Sequence, residues 1–145
     1  MPYIVKEDRE KFEEFIFNVV FDLNTGKEVS VNETINLAET VNSAGEANYV
    51  LSSIVWRLFE ANPSYTFGNA LMACLADTSA TLVDRFFCSD LEKDEVYRFI
   101  HLFCHSLSGG IVGLRGMLAC VGHEFYRRML GPYEDLAIKR NGDIL

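Results

Sequence analysis

The sequence contains no CxxC pair, no HExxH string, no GxGxxG and no phosphate-binding P-loop, and each absence removes a class of protein. Without a CxxC motif, the four cysteines (Cys74, Cys88, Cys104 and Cys120), set in apolar, helical-looking sequence, read as reduced, buried thiols. No apolar run approaches the length of a bilayer span, so no membrane partner is expected. The N-terminal Met-Pro-Tyr-Ile-Val-Lys-Glu-Asp-Arg is too charged for a signal peptide, so a soluble, cytoplasmic protein is expected. Prolines number only three, and no linker, low-complexity tract or charge block interrupts the chain. Cations are scarce as well: 13 Lys and Arg stand against 21 Asp and Glu, a formal net charge of -8. That sign argues against a nucleic-acid polymer, whose backbone needs clustered cations to displace its counterions. A small anionic ligand stays open, because a local site can be positive on a negative protein.

What remains is the composition of one globular domain over residues 1–145, with 49% apolar and 23% charged residues, eleven Phe and six Tyr. The helical period dominates. Glu7 and Asp8 sit where a helix N-terminus favours negative charge, and Phe12, Phe15, Ile16, Val19 and Val20 follow at helical spacing until Asn24-Thr25-Gly26. Residues 27–44 alternate polar and β-branched side chains and read as a loop with one short element at most. A second helix opens at Gly45-Glu46, runs through Val50, Ile54 and Phe59, and ends at Asn62-Pro63. A third is expected from Phe67 to Cys88. The capping-box pattern Ser89-Asp-Leu-Glu92 starts a fourth, from Asp90 to Leu107. A fifth carries Ile111 to Leu130, Pro132 interrupts it, and a short last helix runs from Tyr133 to Arg140. The predicted fold is all-α, a compact bundle of about five to six helices that forms homo-oligomers.

The last thirty-odd residues hold the unusual chemistry. On the fifth helix Leu114, Leu118, Val121 and Phe125 share a core face, while Gly116, Ala119, Cys120, His123, Tyr126 and Arg127 lie opposite. Small residues there admit a close neighbour. Either another helix packs on them, inside the domain or across a dimer, or they floor a pocket. In the second case Tyr126 stacks on a base, and Arg127 and Arg128 offer planar donors matched to phosphate oxygens. The candidate ligand set is Tyr126, Arg127, Arg128, His123 and Lys139, with Tyr3, Tyr49 and Tyr133 available as further stacking rings. A plainer account of the arginines also stands: they complement the helix C-terminus and pair with Glu134 or Asp135.

Other constellations offer less. His101 and His105 lie one turn apart with Cys104 beside them, but zinc needs further ligands, and two histidines filling polar gaps in a core or interface explain the pattern better. Ser108-Gly109-Gly110 opens a helix, as any tight helix-to-helix turn requires. No nucleophile stands beside a recognisable base, and the carboxylates Asp77, Asp84, Asp90 and Asp94 show no metal-binding repeat. No enzyme, cofactor or metal is predicted.

Several strings together resemble a family of small uncharacterised proteins common in bacteriophage and bacterial genomes. They are Met1-Pro-Tyr-Ile4 with Glu7-Asp-Arg9, Gly45-Glu-Ala-Asn-Tyr-Val50, Glu124-Phe-Tyr-Arg-Arg128, Pro132-Tyr-Glu-Asp135 and Asn141-Gly-Asp143. The resemblance covers both ends of the chain and the region around Gly45. Residues 70–112 depart from it, as a helical insertion relative to compact members. It implies a phage setting and supplies no chemistry. In that setting a helical, acidic protein is expected to be a sponge that sequesters a host's cyclic nucleotide alarm signal in a pocket between subunits. A twofold assembly would supply paired arginines and paired aromatics. The alternative is a protein–protein inhibitor or adaptor of a host factor. A helical nucleotide hydrolase would need a carboxylate cluster that the spacing does not offer.

Overall fold

A computed structural model of the chain describes residues 4–76, 91–107 and 114–142, and every regular element among them is helical. Helix α1 (Lys6–Asn24) buries Phe12, Ile16, Val19 and Leu23, four positions at helical spacing that form its core stripe. It ends as expected at Thr25 and Gly26, the latter at φ 76°, a left-handed turn that favours glycine.

Residues 27–44 correct the sequence reading. They hold a full helix, α2 (Val31–Thr40), which buries Thr34, Leu37 and Ala38. Ser30 starts it: its hydroxyl accepts from the Glu33 N–H at 3.0 Å. The β-branched residues cost only tenths of a kcal/mol each in helix propensity, and the apolar face outweighs them. Ser43 repeats the device at the start of α3 (Ala44–Ala61), accepting from the Glu46 N–H at 3.1 Å. The Glu46 carboxylate in turn accepts from the Asn42 N–H at 2.8 Å and pairs with Lys11 of α1 at 2.9 Å.

Helix α3 is the centre of the fold. From Glu46 to Ser52 every residue is buried, and Ile54, Val55, Leu58 and Phe59 continue the apolar surface. It packs against α1 and the C-terminal helices. A polar clamp joins it to α1: Tyr49 donates to Glu13 at 3.0 Å, and Arg57 donates to both Glu13 oxygens at 3.0 Å.

Helix α4 spans Tyr65–Ala76, and the remainder of the expected third helix lies outside the described residues. So does the Ser89 capping pattern. Helix α5 (Leu91–Ser106) buries Val96, Phe99, Ile100 and Phe103 and packs on α2 and α4.

The C-terminal part forms one rod: α6 (Leu114–Phe125), a single π turn (Tyr126–Leu130) and α7 (Gly131–Asn141) follow without a gap. Pro132, expected to interrupt the helix, instead sits in the first turn of α7, where its missing N–H costs little. Gly142, at φ 88°, caps the rod with its N–H on the Ile138 carbonyl at 2.7 Å. Counted as rods, the described residues make six helices in a compact all-α arrangement.

Candidate functional site

The π turn decides what the C-terminal rod shows to solvent. Before it, Leu118, Val121 and Phe125 are buried; after it, the next buried side chain is Leu130. Helical spacing would bring position 128 or 129 inward after Phe125. The wider turn delays the inward position to 130, so that Arg127 and Arg128 stay outside. Its closing hydrogen bond runs from the Gly131 N–H to the Tyr126 carbonyl, five residues back. Pro132 favours the wider geometry, since in a regular helix its ring would crowd the Arg128 carbonyl. At Gly131 there is no room for a side chain, because a Cβ would lie 2.9 Å from the Tyr126 carbonyl oxygen.

The turn rests on an aromatic bed. Phe59 of α3 meets Phe125 edge to face at 5.3 Å and Tyr133 at 5.8 Å. The Arg128 guanidinium lies over the Trp56 ring at 5.5 Å. Gly68 of α4 lets the rod approach closely, since a Cβ there would come within 2.5 Å of a Leu130 methyl.

Glu124 organises the charges. One of its oxygens accepts from Arg127 Nη2 and from Arg128 Nε, both at 2.8 Å. The Arg127 hydrogen bond, with the charge of both guanidiniums, holds the Glu124 carboxyl below the usual carboxylate range. The sequence reading placed the partner of the arginines at Glu134 or Asp135; the structure places it at Glu124, three and four residues upstream, where helical neighbours meet. Glu134 serves Tyr126 instead, accepting from its hydroxyl at 3.1 Å. That hydrogen bond, with the nearby carboxylates and the Tyr65 phenol, raises the Tyr126 pKa.

The structure gathers some of the candidate residues and separates others. Tyr126, 45% exposed, stands with Arg127 and Arg128 on one turn, and the exposed His123 lies one turn before them. Ala119 and Cys120 of the same rod are exposed too. Close helix packing occurs instead at Gly122, which faces Leu75 and Met72 of α4. The side chains of Leu114 and Gly116 lie outside the described set, as does Tyr3. Lys139 is exposed in the last turn of α7 beside Arg140.

Tyr49 and Tyr133 have structural work. Tyr49 is buried with its hydroxyl on Glu13 and the Arg9 guanidinium 5.3 Å from its ring, and burial followed by the Glu13 contact raises its pKa. Tyr133 packs on Phe59. Glu124 and Trp56 were not singled out in the sequence, and Glu134 only as a partner of the arginines, although the spacing of Glu124 to two arginines was legible there.

His101 is buried and stacks on Tyr97 at 4.2 Å, while burial pushes the Cys104 thiol up to about 12. A thiol at that value stays protonated and is a poor nucleophile. Among the described residues no group of three or more His, Cys, Asp or Glu could hold a metal ion, and no helix is long and apolar enough to cross a membrane. The Tyr126–Arg128 turn presents a ring that can stack and guanidinium N–H groups that can donate hydrogen bonds.

Comparison of the chain with protein families, curated proteins and solved structures finds no match.

Proposed function

We propose that the protein is a non-enzymatic binding protein that captures a small phosphorylated ligand, a nucleotide, at the Tyr126–Arg128 turn, with a second copy closing the site. The observation that carries the reading is the π turn itself. Such turns are rare and concentrate at functional sites, and this one sets two guanidiniums and a tyrosine ring among exposed side chains. Glu124 acts as a placeholder for the ligand: it pre-orients both arginines, and Arg128 uses only Nε for it, which leaves its terminal nitrogens for phosphate oxygens. The phage setting implied by the family resemblance makes a cyclic oligonucleotide alarm signal of a host cell the specific candidate, and sequestration the mode of action. Two copies would offer two purines two tyrosines and two phosphates two arginine pairs.

Calorimetry against a panel of cyclic di- and trinucleotides tests this. Each of Arg127→Ala and Arg128→Ala should weaken binding about tenfold or more, as expected for a lost charge-assisted hydrogen bond. Glu124→Gln should tighten it by removing the competing carboxylate. Silence across the panel, or a monomeric mass with ligand bound, refutes the shared site.

Exposed Leu136 and Ile138 on α7 favour a second reading, in which the turn docks on a host protein with Tyr126 and Arg127 as anchors. In that case Glu124→Gln disturbs the anchors and weakens binding to the partner, the opposite sign.

A further inference from the structure

We infer that the outer face of α1 is a docking surface for a basic amphipathic helix of a partner protein. Phe17 and Phe21 are 64% and 53% exposed and stack on each other with ring centroids 6.5 Å apart and planes at 17°. At 100° per residue they project away from the buried stripe of Phe12, Ile16, Val19 and Leu23, so they contribute nothing to the core. Two neighbouring phenyl rings in water are unfavourable for an isolated molecule, and a compact apolar patch rimmed by polar groups marks an interaction site.

The charge around the pair selects the occupant. Two of the cations of α1 are turned toward the fold: Lys11 pairs with Glu46 at 2.9 Å, and Arg9 donates to the Ile4 carbonyl and lies over Tyr49. Lys6 stands at the helix start, about 16 Å from Phe17 along the axis at 1.5 Å per residue. The outward stripe next to the rings carries Glu10 and Glu14, both exposed. Beside it a groove of about 160 Å³ runs between α1 and α2, with Phe15 and Val19 as its apolar lining and Glu14 and Glu33 supplying carboxylates. An apolar channel flanked by two carboxylates suits a lysine or arginine, whose stem is apolar and whose head is cationic.

A helix laid along α1 would set apolar side chains on Phe17 and Phe21 and place a cation between Glu14 and Glu33, in the helix-on-groove mode of recognition. A second copy of this chain fits poorly. A twofold contact would set Glu10 and Glu14 against their own counterparts, on molecules that each carry a net charge of -8.

The probe is a synthetic leucine–lysine amphipathic helix of eighteen or so residues, with a leucine–glutamate peptide of the same pattern as its control. Binding to the full-length protein is followed by fluorescence anisotropy at low and moderate salt. The lysine peptide should bind and the glutamate peptide should not. Phe17→Ala with Phe21→Ala should weaken binding at least tenfold. Glu14→Gln with Glu33→Gln should weaken it about fivefold and flatten its salt dependence. All four positions are exposed, and a circular dichroism spectrum verifies that the fold is kept. Arg127→Ala should leave this binding unchanged, which separates the α1 surface from the C-terminal turn. Lysine-peptide binding that ignores both double variants overturns the inference, as does no binding. So does self-association of the wild type in sedimentation that the phenylalanine double variant abolishes, because a second copy would then be the occupant.

Discussion

Replacing Gly131 with alanine puts the π turn to a direct test. The backbone there is ordinary right-handed helix (φ -58°, ψ -52°), so alanine's own conformation raises no objection, and helix propensity alone favours the substitution by about 1 kcal/mol. The added methyl, however, would stand 2.9 Å from the Tyr126 carbonyl oxygen and 3.6 Å from the Tyr126 ring. The oxygen belongs to the backbone and accepts the hydrogen bond that closes the turn, so it cannot swing aside. Overpacking of this kind costs about 1–3 kcal/mol, and loss of the closing hydrogen bond adds about 1 kcal/mol. The net expectation is a loss of about 2 kcal/mol, or a Tm lower by about 8 °C for a chain of this size. Thermal and urea unfolding measure it. The relaxed turn should also re-aim Arg127 and Arg128, so nucleotide affinity should fall although no ligand-touching side chain has changed. An alanine variant that is more stable by the full propensity gain, with unaltered binding, would show the turn to be an accident of sequence and not a constraint.

Other outcomes follow from the packing and the charges. Phe59→Ala removes a buried ring that braces both Phe125 and Tyr133, and should cost about 3–5 kcal/mol in denaturant unfolding. Native alkylation should label the exposed Cys120 while sparing the buried Cys74 and Cys104, read by mass spectrometry of the digested protein. Burial alone would raise the Glu13 pKa, yet the hydrogen bonds from Arg57 and Tyr49 outweigh it and leave it lowered. A lowered folded-state pKa contributes stability that is full above the unfolded value and is lost as pH falls through the folded one. Glu13 is 47% exposed, which limits the effect to less than about 1 kcal/mol, lost below about pH 4. Glu13→Gln should flatten that acid limb in pH-dependent unfolding.

The helical class was legible because apolar residues recur at helical spacing throughout the chain, and in α1 Phe12, Ile16 and Val19 of the core stripe could be read from the sequence, while Leu23 was missed and Phe15 and Val20 are only partly buried. In α6 the same holds for Leu118, Val121 and Phe125. Helix α2 escaped because Val31, Asn32, Thr34, Ile35, Asn36 and Thr40 are weak helix formers and hide the stronger Glu33, Leu37, Ala38 and Glu39 between them. The signal that would have found it is Ser30 followed by Glu33, a capping-box pattern whose weight lies at the start of the helix and not in its interior propensity. The π turn was invisible for a different reason. Periodicity is measured over a window longer than one turn, so one extra residue between Phe125 and Leu130 blurs the pattern without breaking it. Pro132 was over-read as a break because its position in a first turn depends on where that turn begins. At the candidate site the exposure of Tyr126 and Arg127 matched the amphipathic reading, whereas that of Arg128, which regular spacing would turn inward, depends on the π turn. The dependence of both arginines on Glu124 is masked in the sequence by Glu134 and Asp135, carboxylates that follow on the downstream side. Tyr49 shows the converse limit: a tyrosine in sequence does not announce whether its ring lies in solvent or between two helices.

A π turn is also the form an inserted residue takes inside a helix, which makes the 126–130 segment a place where the chain carries one residue more than its packing requires. Deleting Arg127 alone would bring Phe125 and the present Leu130 to the four-residue interval of an ordinary helix, so both could stay buried. Most helices resist such a deletion, because it turns every later side chain to the wrong face. Here the shortened rod should keep its register, with a bend where the Pro132 ring meets the Arg128 carbonyl, while its surface loses one guanidinium and the wide turn that displays the other. Folding and binding should therefore be separable by a single residue, at the one place in the described chain where the count along the helix is loose.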